Sequence, residues 1–294
     1  MPGPRKGDTD DAHAAGSLQT IISKIARDKV ALYAAVVLVA VVLGVIFAPL
    51  ITSYDPNAQN LSNRFAGYSW SHLLGTDEFG RDVYTRLVYG GRVTLLAAME
   101  GVAISVAFGG PLGVLAGFYG GRLESISSRV SDALMSIPAL IVALTVVAVV
   151  GNNLTTAMFA IGFAVSPRFF RIARGATKEV CSQTYIEASR AIGCSASRTI
   201  VHHVLPNMIS PVIVEAALLF AFMILAEATL AFIGIGVSPP TASWGSALRV
   251  AGGEIYQSRF AIVAPGAVII LTVFSIGIIT DALRDALAVG ARAT

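Results

Sequence analysis

The stretch Tyr185–Asn207, YIEASRAIGCSASRTIVHHVLPN, is a polar interlude between two long apolar runs. It contains two short helical patterns. The first runs from about Thr184 to Ile192 and meets Gly193. Ser195 and Ser197 are candidate caps for a second helix reaching about Val204, and Pro206 limits how that helix continues. A helix–glycine–helix of this size, held against a membrane, makes a compact knob suited to being gripped by something outside the membrane. The plainer alternative is an ordinary solvated helical hairpin.

Working outward, the chain of 294 residues is 55% hydrophobic and only 13% charged. A soluble globular protein carries about 25% charged residues, so the composition is that of a membrane protein. Residues 1–22 are rich in Pro, Gly, Asp and Ala without an apolar period and read as a disordered tail. A basic stretch, Ser23 to Lys29, leads into an uncharged apolar run from Val30 to Leu50, long enough to cross a hydrocarbon core of about 30 Å as an uncleaved first span. Further spans are expected at about 93–118, 133–150, 154–170, 208–235 and 260–279. Gly101, Gly109, Gly110, Gly113 and Gly117 fill the second span with the small residues that let helices approach closely in lipid. Tyr119 to Asp132 reads as a short polar turn, and the amphipathic positions Val83, Tyr84, Leu87 and Val88 as a short interfacial helix before the second span. Residues 288–294 form a C-terminal tail.

Lys and Arg set the orientation. With the N-terminus inside, most of the 21 basic residues fall on the cytoplasmic side, including those around Tyr185–Asn207. Both termini are then cytoplasmic. Cys181 and Cys194 share that side, where reduced thiols are expected, and no His or Cys neighbours stand at zinc spacing. The net charge of +3 without a basic patch does not suggest nucleic acid as a partner. No Gly-Lys-Ser or Gly-Lys-Thr occurs, so a P-loop is missing and uphill transport would need borrowed energy.

The motifs then carry a resemblance. Glu187-Ala188, Gly193 and Leu205-Pro206 have the spacing of the EAA loop that marks membrane subunits of bacterial ATP-binding-cassette importers. Ser189 replaces the usual second Ala, and His203 stands where Ile is usual. Gly75-Thr76-Asp77 with Gly80-Arg81-Asp82, Glu227 to Gly234 followed by Pro239-Pro240 and Ser243-Trp244-Gly245, and Asp281 to Leu287 resemble the dipeptide, oligopeptide and nickel branch of that family. The resemblance covers residues 23–287 as one permease domain. It implies an all-α, polytopic fold with six transmembrane helices, the type I importer permease fold, in the bacterial cytoplasmic (inner) membrane. It also implies an ATP-driven, binding-protein-dependent importer of di- or oligopeptides working by alternating access, with nickel or another small solute as the alternative cargo. The implied partners are a homologous permease subunit, two ATPase subunits that hold ATP and Mg, an extracytoplasmic substrate-binding protein, and membrane lipid. The chain itself is expected to be non-catalytic, without cofactor or metal.

Residue by residue, the resemblance assigns ATPase coupling to Glu187, Ala188, Ser189, Ile192, Gly193, Leu205 and Pro206. Glu227 and Trp244 are candidates for pore or gate, with interhelical hydrogen bonding and headgroup anchoring as their plainer readings. Asp77, Arg81 and Asp82 are candidates for binding-protein docking, with helix capping and local ion pairing as the plainer reading. Glu100 and Glu215 are further carboxylates within spans. A proton-coupled carrier would use such carboxylates but would leave the EAA-like loop unexplained, and no paired Asp, Ser/His or metal cluster supports a membrane-embedded enzyme.

Overall fold

The computed structural model describes residues 28–253, 255–256 and 262–290. The expected tail at 1–22, most of the basic lead-in and the last residues of the C-terminal tail lie outside them. Among the described residues every regular element is helical, and the one β-bridge, Thr76 to Asp82, is isolated.

Helix α1, Lys29–Ile46, is capped by Asp28, whose carboxylate accepts from the amides of Val30 and Ala31. A single turn, α2 (Ala48–Ile51), follows. The next helix, α3 (Val83–Tyr119), is one unbroken 37-residue element, capped by Asp82 through the Thr85 amide. The separate interfacial helix expected near Val83 is therefore its first two turns. Gly90 and Gly91 do not break it because the backbone of Ser243 and the ring of Trp244 pack directly on them.

The polar segment expected as a turn is helical as well. Helix α4, Gly121–Met135, follows directly on α3, and α5, Ala139–Val150, comes after a bend of 80°. The expected span at 133–150 is thus divided. Pro138 has no amide to donate and disfavours helix at Ile137, which ends α4. Helix α6, Leu154–Cys181, begins at an Asn153 cap and runs eleven residues past the expected end at Phe170.

After the segment treated below come α10 (Ile209–Phe232), α11 (Trp244–Gly253) and α12 (Val263–Gly290). By length and apolarity, four described helices can cross a membrane, or five if the bent α4–α5 pair is one span. The remaining expected span is the first part of α6, whose second part carries Arg168, Arg171, Arg174 and Lys178.

Helices α3 and α6 form the most extensive pairing. Their backbones approach so closely that a Cβ on Gly113 would lie 2.6 Å from the Phe170 carbonyl oxygen, as expected for small residues in lipid. Ser105 adds a buried hydrogen bond from its hydroxyl to the Gly162 carbonyl at 2.7 Å. Met158, Ile161, Met223, Ile224 and Leu230 fill the core between α3, α6 and α10.

The connections gather at two ends. At one, Asn152 accepts from the Gly236 amide, Arg86 reaches the carbonyls of Pro56 and Pro240, and Arg92 caps α1 through the carbonyls of Val45 and Ile46. At the other lie the α3–α4 turn and the segment between α6 and α10.

Candidate functional site

The segment from Ser182 to Met208 folds onto the end of α6. Helix α7, Thr184–Ala191, turns Ile186 and Ser189 inward. Ile186, Val204 and Met208 close an apolar cluster with Val114, Ala173, Ala176 and Val180, which fixes the segment to α3 and α6. The opposite face of α7 presents Glu187 and Ala188, and Ile192 projects beyond it with 81% of its surface exposed.

Gly193 takes φ +80°, a left-handed conformation that L side chains rarely adopt. No heavy atom lies within 4 Å of where its Cβ would be, so backbone geometry alone selects glycine here. The turn is closed by the Cys194 amide donating to the Ser189 carbonyl. Ser195 then caps α8 (Ala196–Thr199) through the Arg198 amide, while Ser197 lies inside that helix. The hydroxyls of Ser189 and Thr199, both buried, lie 3.4 Å apart and tie α7 to α8.

Pro206, expected to limit how the second helix continues, does not stop helical structure. The chain widens into a π-helical turn at Ile200–Val204, closed by the Leu205 amide bonding to the Ile200 carbonyl, and then enters the short α9 (Leu205–Asn207). The wider turn accommodates a residue that has no amide and would clash with the carbonyl four residues back. Leu205 and Pro206 are both exposed, on the side of the chain away from buried Val204 and Met208.

At the other end, the candidate pore residues lie inside the subunit. Glu227 on α10 is fully buried, and its carboxylate makes no hydrogen bond among the described residues. The hydroxyls of Thr94 and Ser243 face it, short of hydrogen-bond geometry. Both already accept, Thr94 from the Trp244 amide and Ser243 from the Ser246 amide. Trp244 is 1% exposed, and its indole donates to the Leu87 carbonyl at 3.0 Å. Its ring therefore fastens α11 to α3 and does not reach a headgroup surface.

Asp77, Arg81 and Asp82 are likewise buried and engaged with one another's elements. Asp77 receives the Arg81 guanidinium at 2.7 Å and the amides of Phe79 and Arg81. Asp82 caps α3 and also receives His72 Nδ1 at 2.9 Å. These are the capping and ion-pairing contacts of the plainer reading. The large apolar side chains most exposed among residues 52–82 are instead Leu61, Tyr68, Trp70 and Leu73.

One constellation escaped the sequence reading. Arg168, Arg171, Arg174 and Lys178 follow one another along α6 at spacings of three, three and four residues. Arg168 pairs with Glu215 of α10 at 2.6 Å, a close contact without the alignment of a directed hydrogen bond. Arg171 pairs with Asp132 at 2.6 Å, and Lys178 with Glu124 at 2.8 Å, both on α4. Arg174 lies between them, 3.6 Å from Glu124 and bonded to the Ser128 hydroxyl. The spacing was visible in the sequence, but the acidic partners come from helices distant along the chain.

Comparison with known proteins agrees with this geometry. Residues 109–292 match the family described as binding-protein-dependent transport system inner membrane component, and residues 17–68 match the N-terminal TM domain of oligopeptide transport permease C. A dipeptide transport system permease protein from Alkalihalophilus pseudofirmus is 36% identical over 287 residues, 97% of this chain and 94% of its own length. A di/tripeptide transport system permease protein from Pseudomonas aeruginosa is 36% identical over 276 residues, covering 92% of this chain and 91% of its own. Among solved structures, a chain of the MetNI methionine ABC transporter in an inward-facing conformation superposes with a TM-score of 0.56 at 21% identity. That likeness, over 69% of this chain and 95% of the other, is one of fold.

Proposed function

The chain belongs to the binding-protein-dependent transport system inner membrane component family, and we propose that it is the pore-forming subunit of an ATP-driven importer of di- or oligopeptides. The observation that carries the reading is the segment at 184–207. Its inner face is locked to α3 and α6, while Glu187, Ala188 and Ile192 stand free at its tip. An element built this way passes on a push. Partner ATPase subunits, which hold ATP and Mg, grip the tip in the cytoplasm. Closure of the ATP-bound pair then displaces the α7–α8 hairpin, and the apolar cluster around Ile186 and Val204 carries the displacement into the spans. The subunit itself performs no chemistry.

A homologous permease completes the pore, and an extracytoplasmic binding protein delivers cargo to the end formed by residues 52–82 and 234–243. The buried Asp77–Arg81 pair and the Asp82 cap hold that surface in shape, and its exposed neighbours make the contact. Both termini lie in the cytoplasm under this reading, with α1 leaving the membrane at the binding-protein end, where Arg92 caps it.

The test is reconstitution of the complex, purified through a tag on this chain, into proteoliposomes with its binding protein. Uptake of a panel of di- and oligopeptides that needs ATP inside and persists with a proton ionophore is expected. Uptake abolished by the ionophore alone would make the chain a secondary carrier. Transport of nickel but of no peptide would assign the alternative cargo.

A further inference from the structure

Helix α4 is inside out by the standards of a soluble protein. Its polar face, Glu124, Ser127, Ser128, Ser131 and Asp132, packs on α6, with Ser127 and Ser131 only 6% and 4% exposed. Its apolar face points away from the subunit, with Ile126 63% and Val130 53% exposed. Such polarity is stable only where the surroundings of the outer face are themselves apolar.

Two cations border that face. Arg122 and Arg129 are seven residues apart and so lie within about 20° of each other around the helix. Both are exposed, and among the described residues neither makes an ion pair or hydrogen bond. The other cations of this region, Arg171, Arg174 and Lys178, are all held by Asp132, Ser128 or Glu124.

The level of α4 follows from its partners. At about 1.5 Å per residue, Arg171 and Lys178 lie roughly 26 and 36 Å along α6 from its start. They face Asp132 and Glu124 respectively. A hydrocarbon core of about 30 Å therefore ends beside the middle of α4. Apolar side chains at the edge of the core and guanidinium groups at headgroup height are the arrangement of an interfacial helix.

We propose that the outer face of α4 is a binding site for an anionic phospholipid of the leaflet on the 184–207 side. Leu123, Ile126 and Val130 would lie against acyl chain, and Arg122 with Arg129 against the phosphate. A guanidinium fork matches phosphate oxygens in pairs. The opposite face of α4 is ion-paired to the helix that leads into the coupling segment, so lipid held here steadies the element through which coupling passes. The site takes only its leaflet from the functional reading and does not depend on the cargo.

The test places a bimane fluorophore at Ile126→Cys in a chain carrying Cys181→Ser and Cys194→Ser, in the complex purified through this chain and reconstituted in nanodiscs. Nitroxide-labelled phosphatidylglycerol and phosphatidylcholine are compared as quenchers at equal mole fraction. Both should quench, with phosphatidylglycerol the stronger. Arg122→Gln with Arg129→Gln should reduce that preference by roughly fivefold per arginine, while Arg122→Lys with Arg129→Lys retains most of it. Absence of quenching by either lipid would mean that a protein partner covers the face, and equal quenching in the unsubstituted chain would remove the anion site. A preference unchanged in the Gln pair would overturn the proposal as well. Because quenching reads lipid contact and not transport, failure here leaves the importer reading standing, and failure of uptake leaves this one.

Discussion

At Gly193 the open space around the missing side chain and the φ of +80° make different demands. The space would admit any residue, whereas the backbone admits few. Asn tolerates left-handed geometry better than most, and Asp shares part of that tolerance while adding a charge. Gly193→Asn and Gly193→Asp are both expected to leave the subunit folded, at a cost of about 1 kcal/mol. Only the Asp variant should lose most of its co-purifying ATPase and its binding-protein-stimulated hydrolysis. A Gly193→Asp complex with normal attachment, stimulation and uptake would remove the coupling role. Glu227 invites a separate prediction. Its carboxylate has no exposure in the subunit and faces two hydroxyls, so its role is expected to be in assembly. Glu227→Gln keeps the shape and hydrogen-bonding capacity and should express and transport near the parent level. Normal assembly with selective loss of cationic peptides would instead make Glu227 a cargo contact.

At the scale of elements, α11 depends on one side chain. Trp244 fills the space over Gly91 and donates its indole proton to Leu87, and Gly245 lets α11 rest on the Ala228 backbone. Trp244→Phe keeps most of the apolar contact but loses the indole bond to the Leu87 carbonyl, which still accepts within α3. It should destabilise the purified subunit by about 0.5–1.5 kcal/mol, read as a lower midpoint of thermal unfolding in detergent. An unchanged midpoint would show that the indole bond contributes nothing. The ion pairs between α4 and α6 are of a different kind. Arg171 and Asp132 are 47% and 62% exposed in the isolated subunit, so Asp132→Asn should cost no more than about 1 kcal/mol and less in high salt. A larger, salt-independent loss would mean that Arg171 and Asp132 are enclosed in the assembled complex.

At the scale of the whole molecule, the connections at 52–82, 151–153 and 234–243 meet at one end, and the α3–α4 turn and the 182–208 segment lie at the other. Only one of these ends can face the cytoplasm. Ser71 is exposed at the first end. In a chain carrying Cys181→Ser and Cys194→Ser, Ser71→Cys should react with an impermeant thiol reagent added to intact cells. Labelling only after the membrane is opened would invert the assignment.

The sequence determined that this is an all-helical membrane permease and where the polar helix–glycine–helix segment between α6 and α10 lies. Those properties are local: apolar runs of spanning length, a glycine between two short helical patterns, and a spacing from Glu187 to Pro206 that survives in any tertiary arrangement. The helix caps at Asp28, Asp82, Asn153 and Ser195 are local as well, since each side chain bonds an amide within three residues. Tertiary structure decided whether a break became a break. Gly90-Gly91 stayed helical because α11 packs on it, Pro206 was absorbed by a π turn, and the serine-rich run after Gly121 became a helix because α6 supplied cations for its polar face. It also decided which charges are occupied. Glu215 and Glu124 are claimed by Arg168 and Lys178 of α6, partners distant along the chain. Arg122 and Arg129 were left exposed and without a partner among the described residues, because pairing depends on which helix faces lie together, and a single strand of sequence does not contain that.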